Sequence, residues 1–293
     1  MTGRVDATAD HTSRRTPQFF DVRALERSNG QSLAGLGSTE HRLLSQDEAS
    51  DAFTALVQLP TGWQLDHRPP AGVFEFFVLT GELVVEGDAV GSGGYVYLPP
   101  GAEGIDIRSG VGATAFVWSS SQLQPSPSPD LRVTSVWDQP WNSGRLTGLP
   151  DGRRFKSLRP DDVLDGPVQG GVNGFLRLTH WAPGYVAPNK HKHSVWEELI
   201  FLSGDWMTVE RGIVSSGSYI GNPPEWWHGP LVSRFGALAL VHSDRALDLT
   251  VTAVEGGAEF ADRCLRSSSL FDVPVHEGTD VLVPYLPNGF AAS

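Results

Sequence analysis

Three histidines and a carboxylate stand at spacings that suit a common purpose: His191-Lys192-His193-Ser194-Val195-Trp196-Glu197, and His228 within Pro223-Pro224-Glu225-Trp226-Trp227-His228. Side chains alternate along a β-strand, so His191 and His193 point to one face if they share a strand, and Glu197 keeps that parity. Three imidazole nitrogens and a carboxylate oxygen form a complete ligand set for one divalent metal ion. The set is borderline-soft. It suits iron(II) or manganese(II) first, with zinc, nickel, cobalt or copper as alternatives, better than calcium or magnesium.

These residues need a frame to hold them, and the rest of the chain says which kind. Its 293 residues are enough for two domains of about 100–150 residues each. Gly at 33 and Pro at 21, against 2 Met, are turn-rich usage that would break helices. Runs such as 53–59, 113–118, 174–181 and 237–242 are short, apolar or alternating, and bounded by turn residues, as strands of antiparallel sheets are. No sustained helical period appears, so the expected fold is all-β with few short helices.

The strands also repeat. Phe76-Phe77-Val78-Leu79-Thr80-Gly81-Glu82-Leu83 has a counterpart in Leu199-Ile200-Phe201-Leu202-Ser203-Gly204-Asp205-Trp206, and Gly93 to Pro100 matches Gly217 to Pro224. The register holds through two motifs with one residue inserted, which indicates a duplicated domain. The Ser/Pro stretch 119–129 reads as a linker between the copies. The expected division is therefore a disordered segment 1–17, an N-terminal barrel 18–125 and a C-terminal barrel 126–293.

The histidine motifs resemble those of the cupin family. Its first motif runs Gly, five residues, His-x-His, three or four residues, Glu, six residues, Gly. Here Gly184 is followed by six residues rather than five, then His191-x-His193, Glu197 and Gly204. The second motif is matched by Gly217, Pro223 and His228, with Glu225 where a glycine is expected and Val232 where an asparagine is expected. The resemblance is to bacterial single-metal bicupins and to the cupin domain of zinc anti-sigma factors. It implies two tandem jelly-roll-like β-barrels and a metal held by His191, His193, Glu197 and His228. Glu198 competes with Glu197, but the spacing to Gly204 and the strand parity favour Glu197.

The N-terminal copy has lost these groups. His67 survives, while Pro69, Phe74 and Gly104 occupy the positions of the second histidine, the carboxylate and the last histidine. This half reads as scaffold. Alternation places Arg177, Thr179 and Trp181 on one strand face that can line the cavity, and Trp227 and His242 are further pocket candidates. The single cysteine, Cys264, has no neighbouring base and reads as an inert thiol. No nucleotide-binding glycine loop or serine-nucleophile elbow is present.

A formal charge of −12 repels phosphate backbones, so nucleic acid is not an expected partner. The chain lacks a secretion-type leader and any uninterrupted apolar run of membrane-spanning length, so a cytoplasmic protein without membrane contact is expected. Family resemblance adds the expectation of a homodimer. Four protein ligands around an octahedral ion leave two positions open, as an oxygenase needs. The favoured expectation is a mononuclear dioxygenase acting on a small oxygen-bearing substrate, with Glu197 also able to act as a base. The alternatives are a non-redox isomerase, cyclase or lyase, and a non-catalytic metal or ligand sensor.

Overall fold

A computed structural model describes residues 14–28, 32–50, 52–65, 72–120, 130–143, 150–160, 162, 174–243 and 245–266. The described residues are nearly all β, with one 3-10 turn at Val22–Ala24 and one α-helix at Gly257–Arg266. None of their helices is long and apolar enough to cross a membrane.

Two large antiparallel sheets repeat one strand order. In the N-terminal half it runs Arg132–Ser135, Gly94–Leu98, Phe74–Gly81, Ala113–Ser119, Phe53–Leu59 and Glu40–Gln46. In the C-terminal half it runs Gln18–Asp21, Ser218–Asn222, Glu197–Thr208, Ala237–Ser243, Phe175–Trp181 and Arg153–Ser157. The outermost strand of each is exchanged: Gln18–Asp21 pairs antiparallel with Ser218–Gly221, and Arg132–Ser135 with Gly94–Tyr97. Each half thus lends one strand to the other's sheet. Residues 1–13 and most of the linker lie outside the described residues, whereas Arg14 is buried and donates to the Ala52 carbonyl.

Strand parity sorts the side chains into two layers. In the N-terminal half one face, including Phe53, Val57, Phe74, Phe76, Val96 and Val117, fills the barrel interior. The opposite face, with Leu56, Phe77, Tyr95, Phe116 and Trp118, packs against Leu176, Leu178, Ile200, Tyr219, Leu238 and Leu240 of the other half. Both faces of each large sheet are therefore covered, so their strands read as near-continuous apolar runs rather than strict alternations. At about 1.5–3 kcal/mol per fully buried large apolar side chain, this middle layer supplies much of the energy that joins the halves.

The repeated turn glycines have one reason in common. Gly81 and Gly204 carry φ of +73° and +79°, and a Cβ on either would lie 2.0 Å from a backbone oxygen, of Gly112 and Gly236 respectively. Only glycine meets both demands. The turn expected at Gly204 is shallower than its sequence suggests, since the strand Glu197–Thr208 continues through it.

Among the described residues, the two positions of the N-terminal barrel that match Glu197 and His228 carry no ligating group. Phe74, at the carboxylate's position, is fully buried edge-on to Phe76 at 5.0 Å and packs against Phe53 at 6.2 Å. Gly104 offers no side chain. His67 and Pro69 lie outside the described residues. Cys264 is buried beside Met207, Val232 and Ala261.

Candidate metal centre

The four motif residues come from three separate pieces of backbone. His191 lies in the short strand Lys190–Lys192, His193 just beyond it, and Glu197 opens the long strand Glu197–Thr208. Their common orientation therefore comes from a tight connection between two strands, not from one continuous strand as parity alone suggests. His228 is placed by the backbone. Its N–H donates to the His191 carbonyl at 2.9 Å and its own carbonyl accepts from His191 at 2.9 Å, which brings the two rings to 4.1 Å between centroids.

One nitrogen from each of His191, His193 and His228 lies within 4.8 Å of the others, and all three residues are buried. Two rings are oriented from behind. The His193 Nδ1–H donates to the Asp248 carbonyl at 2.6 Å, and the His228 Nδ1–H donates to the Trp226 carbonyl at 3.1 Å. Each tautomer so fixed leaves Nε2 with a free lone pair, as ligating histidines require. The buried Nε2 of His193 has no hydrogen-bond partner among the described residues. Burial, His193 and Arg153 hold His191 down to about 3, and burial with the two neighbouring imidazoles holds His228 well below its ordinary value. Both rings are neutral and able to coordinate.

Glu197 completes the group. Its Oε2 lies 3.6 Å from His193 Nε2 and 3.7 Å from His228 Nε2, and accepts from the Asn222 amide at 2.9 Å. The Asn222 oxygen in turn accepts from Arg211 at 2.6 Å. Glu198 points to the opposite face, among Thr54, Tyr219 and His242. An orphaned buried nitrogen, three converging lone pairs and one carboxylate fit a divalent transition metal, and the triad can hold one.

The cavity in front of the triad has about 50 Å³ open to water. At about 10–15 Å³ per water position, that admits only a small ligand. Arg177, Thr179 and Trp181 line it, with Arg153, Tyr185, Trp206, Asn222 and Arg211. Two further pocket candidates lie elsewhere. Trp227 sits on the rim, where Lys190 and Lys192 approach its ring at 5.3 and 5.2 Å. His242 is one residue out of phase with the cavity-lining Val241, so it faces the other half and gives its Nδ1 to Glu198 at 2.8 Å. The pairing of His242 with Glu198 across adjacent strands settles that parity, which sequence alone left open.

Asn222, Arg153 and Arg211 were not legible as site residues. Asn222 shares the parity of Ile220 and replaces Leu98 of the other copy, which was the available signal. Arg153 and Arg154 are adjacent, so alternation puts one of them inside without saying which.

Glu225, the departure from the family's glycine, has φ of +64°. This is the left-handed region, which costs a non-glycine residue about 1–2 kcal/mol. Glu225 also ion-pairs with Lys192. Because Glu225→Gly and Glu225→Ala both lose that pair, their comparison isolates the backbone: the glycine variant should be about 1 kcal/mol more stable in urea unfolding. Equal midpoints would mean the loop relaxes out of this conformation.

Comparison with known proteins agrees with this architecture. Residues 26–120 match the model of the ChrR cupin-like domain, which covers the half without the histidine triad. No curated protein matches the chain. A Nostoc punctiforme protein described as a candidate dioxygenase superposes with TM-score 0.64 at 19% identity, over 83% of this chain and 88% of that one. The E. coli protein Ylba gives 0.57 at 17%, over 83% and 97%. A Leptotrichia buccalis cupin 2 conserved barrel domain protein gives 0.50 at 10%, over 78% and 96%. With this strand order and these relatives, the chain is a cupin-fold protein built of two tandem barrels.

Proposed function

We propose that the C-terminal barrel holds one divalent metal ion through His191, His193, Glu197 and His228, and that the protein is a mononuclear metal-dependent oxygenase of a small oxygen-bearing organic substrate. The observation that carries this reading is the buried, unpartnered Nε2 of His193, aimed into the cavity beside two neutral imidazoles and Glu197. Bound there, iron(II) or manganese(II) would supply Lewis acidity and one-electron chemistry. The chain's own contributions are structural and electrostatic. Asn222 fixes the Glu197 carboxylate, and the Asp248 and Trp226 carbonyls fix two imidazole tautomers. Leu199, Phe175, Ile220, Val241 and Leu231 keep the cavity largely apolar, which limits water and strengthens each charge inside it. The barrel mouth leaves room for a few substrate atoms only.

The similarity to a candidate dioxygenase supports the oxidative reading over an isomerase. The test is to give iron(II)-loaded protein β-diketones, hydroxyketones and hydroxyacids while dissolved oxygen is monitored. Oxygen uptake matched to product is expected. Turnover with no oxygen uptake would exclude an oxygenase and leave a metal-assisted isomerase or lyase.

A further inference from the structure

Three guanidinium groups face the cavity, and they are not alike. Arg177 forms an ion pair with the buried Asp162 and is stacked between Phe155 and Phe175, at 4.4 and 4.2 Å. Arg211 donates to Asn222 and Glu210. Arg153 differs from both, because its buried Nη2 has no hydrogen-bond partner among the described residues. It lies on the strand Arg153–Ser157 opposite Trp181, on the cavity-lining parity shared with Phe155.

From this geometry we infer that Arg153 is a binding group for the carboxylate of an anionic substrate, placed beside the metal centre. The inference rests on the reading of the cavity as a substrate site and adds the substrate's class: a small carboxylic acid. Charge balance points the same way. The carboxylates of Glu197, Glu210 and Asp162 offset the three guanidiniums, so a divalent ion leaves the occupied site positive by two. A carboxylate lowers that excess to one, where a neutral ligand leaves it at two.

Arg153 does not serve simply as counter-ion to Glu197. Glu197 Oε2 is already held by Asn222, and no ion pair joins it to Arg153. The two charges nevertheless sense each other, as Arg153 does His191. Burial pulls the guanidinium down to about 10, so it stays charged at neutral pH without a partner for Nη2. An unpaired buried donor of this kind costs stability in the empty protein and is repaid when a ligand supplies the acceptor.

Calorimetric titration tests this with glycolate and lactate against their uncharged amides, glycolamide and lactamide, in chelator-treated and manganese(II)-loaded protein. Because a charged hydrogen bond is at stake, each acid should bind the parent chain about tenfold or more tightly than its amide. In Arg153→Gln the preference should disappear while amide binding, metal content and the circular dichroism spectrum stay unchanged. Arg153→Lys should keep part of it. Equal binding of acid and amide, no binding of either acid, or an undiminished preference in Arg153→Gln would overturn the inference. Metal content is measured on the same samples. A chain that prefers the acids but holds no metal would sink the metal-enzyme reading alone.

Discussion

A His228→Ala chain purified without added metal should contain little or no bound divalent ion, where the parent chain is expected to hold about one per molecule. Loss is expected to be nearly complete because the ring does two things. It supplies a lone pair to the triad, and the ladder pair between His228 and His191 sets how close the two rings come. Alanine preserves the backbone pairing, so the fold is kept while a ligand is removed. His193→Ala should behave alike. A graded series separates ligands from their supports. Asn222→Ala leaves all four ligands but frees Glu197 Oε2, and loss of an outer partner of this type costs about 10–100-fold in metal affinity. His180→Ala is the control, because His180 is half-buried beside Trp141 on the outward parity of its strand. It should leave metal content unchanged. Elemental analysis of the four variants, with stability checked by urea unfolding, reads the series. Wild-type metal content in both His228→Ala and His193→Ala would end the four-ligand proposal.

How much of this was visible beforehand depended on what each feature needed. Spacing alone singled out His191, His193 and His228, which the fold gathers into one triad, and Glu197, which lies beside two of them. The repeat carried the strand order of both halves. Alternation along Phe175–Trp181 correctly put Arg177 and Thr179 on the cavity side, since both faces of that strand are buried and only phase had to be chosen. At His242 the surrounding apolar run gives no phase, and pairing with Glu198 places it in the core between the halves. The strand exchange was beyond local pattern, because Gln18–Asp21 carries no mark of which sheet it joins. Nor do single sequence positions reveal that Glu75 and Glu198, equivalent in the repeat, both point into the layer between the halves.

That layer carries the second large expected effect: Arg159→Met should cost about 3–5 kcal/mol of stability at neutral pH, because it leaves Glu75 buried and charged without its main partner. Glu75 is fully buried and accepts from Arg159 Nε at 3.0 Å as well as from Arg159 Nη2 and the Tyr95 hydroxyl. His242 links it to Glu198, which also accepts from Thr54 at 2.7 Å and Tyr219 at 2.6 Å. The network thus ties one half to the other at Glu198, the neighbour of Glu197. Acidity reveals its sign. Burial pushes both carboxylates up, but Arg159 and His242 outweigh it at Glu75, leaving it well below the usual carboxylate range, and His242, Arg14 and Tyr219 outweigh it at Glu198, leaving it at about 2. The native parent therefore binds these protons less readily than the unfolded chain. The stability they contribute is fully present above about pH 4.5, the ordinary carboxylate value, and is lost as the pH falls toward about 2. In Arg159→Met the balance at Glu75 reverses: without the guanidinium, burial favours the protonated acid, and lowering the pH helps the variant while it harms the parent. The gap in unfolding free energy between the two chains should accordingly be widest near pH 7 and narrow toward about pH 4. A gap that stays constant over this range in urea titrations would mean that Glu75 is not held as a charged group by Arg159. Replacing both partners together, Glu75→Met with Arg159→Met, should recover part of the loss, since the unpaired charge is gone and what is left unmet, at the Tyr95 hydroxyl, the His242 ring and the Ser243 carbonyl, is uncharged hydrogen bonding.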